Sequence, residues 1–258
     1  APLSEPPTMN IQPFVDRRAR LMARMACGVA ILTPAAEKLR NRDTPYPFRA
    51  DSYFHYLSGF TEPEAVLVLV AGDGGRSILF CRERDPDKEI WDGYRYGPEA
   101  AREAFGFDEA YAIGELDARL PEILADQPVL WHSLGHDSTW DQQVAASLNA
   151  VRAQSRNGKR APVTVRDLRA ELDEMRLIKD SHEIDVMRRA AAISAAAHRR
   201  AMAAARPGAF EYEVEAELLH EFRRQGSPFP AYGSIVASGA NACVLHYVEN
   251  DRRMADGE

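Results

Sequence analysis

Apolar residues come in short blocks along the first two thirds of the chain, and the blocks switch between two periods. Phe14, Leu21, Met22 and Met25 can share one side of a 3.6-residue repeat, which predicts an arginine-rich amphipathic helix over 14–25. Gly28–Leu32 is a continuous apolar run, short enough for a buried strand. The polar stretch 41–48, with Pro45 and Pro47, reads as a loop, and the aromatic block 52–57 as a strand. Residues 65–71 and 77–81 are two more strands, joined by Gly72-Asp73-Gly74-Gly75, so a hairpin is expected. From Pro98 the periods alternate: helix over 98–104, strand over 110–113, helix over 115–124, strand over 129–131, helix over 139–151. Pro121 is expected to break the second of these helices into two pieces. Strands alternating with helices predict an α/β layer structure.

The last third reads differently. Asp180 followed three residues later by Glu183 fits a capping box, in which each residue satisfies an unpaired N–H of the other. An alanine-rich helix over 181–205 should follow and end at Pro207-Gly208. Ile184, Met187, Ala191 and Ala195 would form its packed stripe. A second helix is expected over 212–224, with Val214, Leu218 and Phe222 on one face and Gly226 closing it. The division between the two parts is placed at 176/177, giving an N-terminal α/β domain over 14–176 and a second domain over 177–258. Residues 1–13 are expected to be a disordered leader.

Composition narrows the function classes. The chain has 258 residues, 45% of them hydrophobic and 28% charged, ordinary values for a globular protein. The net charge of −7 gives no basic footprint for nucleic acid. Three scattered cysteines, Cys27, Cys81 and Cys243, provide neither a disulfide framework nor zinc spacing. Reduced thiols and a cytoplasmic location are the simplest expectation. No run is long enough to span a membrane, and the start, Ala1 to Thr8, lacks the apolar core of a secretory signal.

Candidate chemistry centres on residues 231–250. Ile235 and Val236 are apolar; Ser238-Gly239-Ala240-Asn241 is a turn signal; His246 follows in Val244-Leu245-His246-Tyr247. A histidine beyond such a turn suits proton transfer near neutral pH if it faces a cleft. The same pattern fits a hairpin with a core histidine. His132 and His136 lie four apart, but Gly135 intervenes and no third ligand follows at a sensible spacing, which argues against a metal there.

Several motifs together resemble the aminopeptidase P family, the Xaa-Pro aminopeptidases of the pita-bread fold. They are Tyr46-Pro47-Phe48-Arg49, Phe54-x-Tyr56-Leu57-x-Gly59-Phe60-x-Glu62-Pro63-Glu64-Ala65, Glu89-Ile90-Trp91, Glu174-Met175-Arg176, Arg206-Pro207-Gly208, Tyr232-x-x-Ile235-Val236-x-Ser238-Gly239-x-Asn241 and His246-Tyr247-x-x-Asn250. The resemblance runs from about Phe14 to the last residues. It implies an N-terminal α/β domain of the creatinase/aminopeptidase P type, followed by the first part of a pita-bread α+β catalytic domain. The implied reaction is hydrolysis of the peptide bond before a proline in second position. Two manganese ions would serve it, held by two aspartates, a histidine and two glutamates that match no residue up to Glu258. The segment alone is therefore expected to be inactive. By the same match His246 is the catalytic histidine, not a metal ligand, and Tyr232 lies near the metal centre. Trp91 and Arg156 would line the substrate cleft of a neighbouring subunit in a homo-oligomer, a tetramer or dimer. Neither a nucleic acid nor a membrane partner is implied. Two other readings stay open: a metal-free creatinase-like hydrolase, against which the His246-Tyr247-x-x-Asn250 spacing argues, and a non-enzymatic peptide-binding module.

Overall fold

Strands β1 (Gly28–Leu32), β2 (Val66–Ala71) and β3 (Arg76–Cys81) are apolar on both faces, so each needs cover on both sides. A computed structural model, which describes residues 9–258, supplies that cover. The described chain divides into two units, one ending at Ile178 and one spanning Lys179–Glu258. This is two residues beyond 176/177, because the last helix of the first unit runs on through Leu177 before the chain reaches the Asp180 cap.

The first unit is built on a six-stranded sheet. Its remaining strands are β4 (Glu109–Ala112), β5 (Val129–Trp131) and β6 (Thr164–Arg166), and the order is β4-β3-β2-β1-β5-β6. β2 is antiparallel to β1 and β3; the other neighbours are parallel. Helices α1 (Gln12–Met25), α2 (Ser52–Ser58), α4 (Gly97–Phe105) and α7 (Leu168–Leu177) share a core with Ala30, Leu32, Leu67, Leu69 and Leu79. Helices α5 (Leu116–Leu124) and α6 (Ser138–Ala153) pack on Val29, Ile31, Val66, Val68 and Ile78. Alternate residues of each strand thus feed opposite cores. Gly28 has φ +95, and a Cβ there would strike the Val129 carbonyl, so glycine lets β1 approach β5.

Helix α1 holds two buried cations that its amphipathic reading did not anticipate. Arg18 donates to the carbonyls of Leu57 (3.0 Å), Phe105 (3.0 Å) and Gly106 (2.5 Å), at the C-terminal ends of α2 and α4. Those carbonyls have no partner within their own helices, and a cation suits the negative end of each helix dipole. Burial lowers the Arg18 pKa to about 10, with Asp108 opposing.

Three further expectations need correction. Residues 52–57 form helix α2, not a strand: the Asp51 carboxylate accepts from the N–H groups of Tyr53 and Phe54, and Gly59 ends the helix in the left-handed region. Pro121 does not split α5; its ring is buried in the core beside Leu120 and Leu124. Gln12 and Pro13, assigned to the leader, belong to α1, where a proline in the first turn costs no hydrogen bond. Residues 1–8 of that leader lie outside the described residues.

In the second unit, α8 (Ser181–Ala204) starts on the expected capping box, with Asp180 accepting from the Glu183 N–H and Glu183 accepting from the Asp180 N–H. It packs against α9 (Glu211–Arg224) through Ile193, Ala197 and Ala201, not through the expected stripe; Met187, Ala191 and Ala195 are exposed. On α9 the buried residues are Glu211, Val214 and Glu221, while Leu218 and Phe222 are half-buried.

Candidate active site

The segment that bears His246 contains no strand of the sheet type expected for a hairpin. It is an irregular chain with one 3₁₀ turn over Gly239–Cys243, and it is fixed by side chains. The fixing group is Glu211, fully buried in the first turn of α9. Its Oε1 accepts from the Ser238 N–H (2.6 Å) and hydroxyl (2.8 Å). Its Oε2 accepts from the Tyr247 hydroxyl (2.7 Å) and the Arg252 N–H (3.0 Å). Four donors fill the acceptor sites of a carboxylate. Burial pushes the Glu211 pKa up, but the hydrogen bonds from Tyr247, Ser238 and Arg252 overcome it and hold the value at about 2.

A second clasp is Asn250, 2% exposed and at φ +51, a backbone region that asparagine tolerates better than most residues. Its Oδ1 accepts from the Val236 N–H (2.9 Å), and its Nδ2 donates to the Ser234 carbonyl (3.0 Å) and to Glu215 Oε2 (3.1 Å). Gly239 has φ +51 and lies against the Arg252 guanidinium, so a side chain there would be strained and crowded. The chain is tied further where the Met254 N–H donates to the Ala209 carbonyl and the Gly208 N–H to the Met254 carbonyl. Ser238, Gly239, Tyr247 and Asn250 all belong to the motifs read above, and each takes part in this clasp.

Between these anchors the turn Leu245-His246 projects outward. His246 is exposed within this unit. Tyr247 beside it is buried, with its hydroxyl on Glu211. Tyr232 is 74% exposed in the same unit, on the segment leading to Val236. An exposed imidazole on a turn whose neighbour is immobilised can hold or transfer a proton at a fixed place.

Trp91 and Arg156 belong to the first unit. Trp91 lies on α3 (Pro86–Asp92) and is 87% exposed, next to the exposed Ile90. That helix is anchored by a carboxylate instead of an apolar face. Buried Glu89 accepts from Arg84 (3.0 and 3.2 Å) and from the Arg95 N–H (3.0 Å). Arg156 is exposed on a 3₁₀ turn over Ser155–Asn157, closed by Gly158. His132 hydrogen-bonds Asp141 through Nε2 (2.9 Å), and Asp141 also accepts from the Gly135 N–H and so holds the loop before α6.

Among the described residues no group of three or more His, Cys, Asp or Glu side chains could hold a metal. These residues do not compose a two-metal centre. Also among them, no helix is long and apolar enough to cross a membrane. Cys27, Cys81 and Cys243 are free, and burial raises the Cys81 thiol to about 12.

Sequence reasoning missed Glu211 as a site residue. A glutamate in the first turn of a helix is common, and nothing local marks this one as buried.

The model for the aminopeptidase P N-terminal domain matches residues 14–131, and the model for metallopeptidase family M24 matches residues 185–258. The chain is 46% identical to the Xaa-Pro aminopeptidase of Escherichia coli over 96% of its length and 57% of that protein's. It is 33% identical to human Xaa-Pro aminopeptidase 3 over 84% of its length and 43% of that protein's. The chain thus spans about half the length of the curated relatives it matches. Among solved structures, zinc-substituted E. coli aminopeptidase P in complex with product matches with a TM-score of 0.94 at 44% identity, over 97% of this chain and 58% of that one. Proline aminopeptidase P II from Yersinia pestis matches with a TM-score of 0.93 at 46% identity, over 96% and 58%. The chain belongs to the aminopeptidase P family: an N-terminal α/β domain followed by part of an M24 metallopeptidase domain.

Proposed function

We propose that this chain serves an Xaa-Pro aminopeptidase, which hydrolyses the peptide bond preceding a proline in second position. The observation that supports this most is the exposed His246 turn, held on the buried Glu211 and Asn250 within a segment 46% identical overall to such an enzyme. The scissile bond is a tertiary amide whose nitrogen carries no proton. Water adds to the carbonyl carbon, the C–N bond breaks, and the proline nitrogen must gain a proton. His246 is the catalytic residue proposed to hold substrate and move that proton. Tyr232, on the same exposed segment, is proposed to bind substrate beside it.

Trp91 and Arg156 are proposed as cleft walls that one subunit lends to another in a homo-oligomer, dimeric or tetrameric. The exposure of Trp91 and Ile90 together supports a covered position, since an apolar pair on a small helix is costly when wetted. The catalytic metal is proposed to be two manganese ions, in keeping with a carboxylate-rich site. The described residues do not supply that ligand set, so the part assigned to this chain is that of His246 and its supports. Reduced cysteines support a cytoplasmic location.

The test compares peptides that differ only in the second residue, proline or alanine. It uses a protein carrying the M24 domain in full, and separately the 258-residue chain. The expected result is hydrolysis of the proline peptide alone by the former and none by the latter. Equal hydrolysis of both peptides would remove the proline assignment. Cleavage by the 258-residue chain would show that its own residues suffice.

A further inference from the structure

Glu211 is a buried carboxylate that the proposed chemistry does not use, and no ion pair with Glu211 is seen among the described residues. The Arg252 guanidinium bonds elsewhere: it donates from Nη1 to the Ser238 carbonyl (3.1 Å) and pairs through Nη2 with Glu258 (2.5 Å). Burying a charge without a counter-ion is expensive unless hydrogen bonds replace its water. Here four donors do so, and they come from three places: before the His246 turn (Ser238), immediately after it (Tyr247), and further along (Arg252). The carboxylate sits in the first turn of α9, where the helix dipole favours a negative charge. In return the Glu211 N–H donates to the Arg252 carbonyl (3.0 Å).

The turn presents mostly exposed side chains. Val244, Leu245, His246 and Val248 are all exposed, and the buried side chain next to His246 is Tyr247. The phenol oxygen is therefore the nearest fixed point to the imidazole along the chain, and its partners are Glu211 (2.7 Å) and Asp251 (3.3 Å). Asp251 is a neighbour on the same irregular segment, whereas Glu211 belongs to a helix. Of the two partners of the phenol, Glu211 is the one that lies on a rigid element.

The geometry points to Glu211 as a positioning residue for His246, acting through Tyr247 and Ser238. This rests on the reading of His246 as the catalytic histidine. Glu211→Gln keeps the size of the side chain but puts an amide where one oxygen accepts a backbone N–H and a hydroxyl, so the N–H would face another donor and the hydroxyl would have to turn and accept. The turn then loses its place while α9 keeps its packing through Val214. Losing a partner that orients a reacting group costs roughly 10- to 100-fold in activity.

The experiment is a double-mutant cycle in a protein carrying the M24 domain in full, with Glu211→Gln, His246→Ala and the pair, measuring kcat and KM on an Xaa-Pro peptide. The expected result is a fall in kcat for Glu211→Gln with little change in KM, and a pair no slower than His246→Ala alone. An unchanged kcat, or losses that multiply in the pair, would overturn the proposal. The ring C–H signal of His246, identified by its loss in His246→Ala, is followed by NMR in the same proteins. It should shift or split in Glu211→Gln, and an unchanged signal would also overturn positioning. If His246→Ala proves as fast as the parent, the reading of His246 falls, and the ring signal alone decides for Glu211. Should Glu211→Gln fail to fold, Tyr247→Phe removes a single donor and takes its place in every comparison, with the same expected direction.

Discussion

At the scale of single residues, the second unit holds two buried carboxylates beside its apolar side chains. Glu211 and Glu221 are both buried and both held at about 2. For Glu221 the cause is the Arg224 guanidinium, aided by Gln225 and opposed by burial. Unfolded glutamate titrates at about 4.3. A carboxyl whose folded value lies below its unfolded one adds stability above the unfolded value, and loses it as the pH falls through the folded one. Both groups should therefore release stability as the pH drops from about 4.3 toward about 2. Glu211→Gln removes one of the two. In urea unfolding of the 258-residue chain, the variant should be less stable than the parent at about pH 7, and the gap should narrow at about pH 3. A gap of the same size at both would mean that Glu211 is not ionised in the folded chain. None of this was legible in the sequence. Nothing local marks either acid as buried, and Glu211 is covered by the chain that returns through Ser238, Tyr247 and Arg252.

At the scale of elements, the sequence was informative wherever a period or a cap was strong. The apolar runs of β1, β2 and β3, the glycine turn between the last two and the Asp180 box all stand where the pattern places them. The misreadings have physical causes. Ser52–Ser58 is dense in aromatics, which favour strands, yet the cap at Asp51 and the stop at Gly59 outweigh that preference. In α8 the alanine tract makes every face nearly alike, so the sequence cannot choose a stripe, and α9 chooses Ile193, Ala197 and Ala201. Helix α3 escaped notice because its anchor is Glu89, not an apolar residue. That anchor sets Ile90 and Trp91 outward, and it makes the role of Trp91 testable. Since the ring is almost fully exposed, Trp91→Ala should leave the unfolding midpoint nearly unchanged, as is usual for surface positions. If the ring walls a substrate cleft, KM for a short Xaa-Pro peptide should rise. A fall in the midpoint with KM unchanged would make Trp91 a structural residue.

At the scale of the whole molecule, the family could be read from the sequence because its motifs are hydrogen-bonding patterns. Ser238, Tyr247 and Asn250 each reach a carboxylate on α9, which ties their spacing along the chain to the fold. The partner itself, Glu211, lay outside those motifs and became visible only with the fold. The central claim is that this clasp presents His246 to the substrate as a proton-handling group and not as a metal ligand. It is tested most directly by His246→Ala in a protein carrying the M24 domain in full, with bound metal and turnover of an Xaa-Pro peptide measured on one preparation. Turnover should fall by roughly 10²-fold or more with metal content unchanged. Full turnover, or loss of metal together with activity, would contradict it.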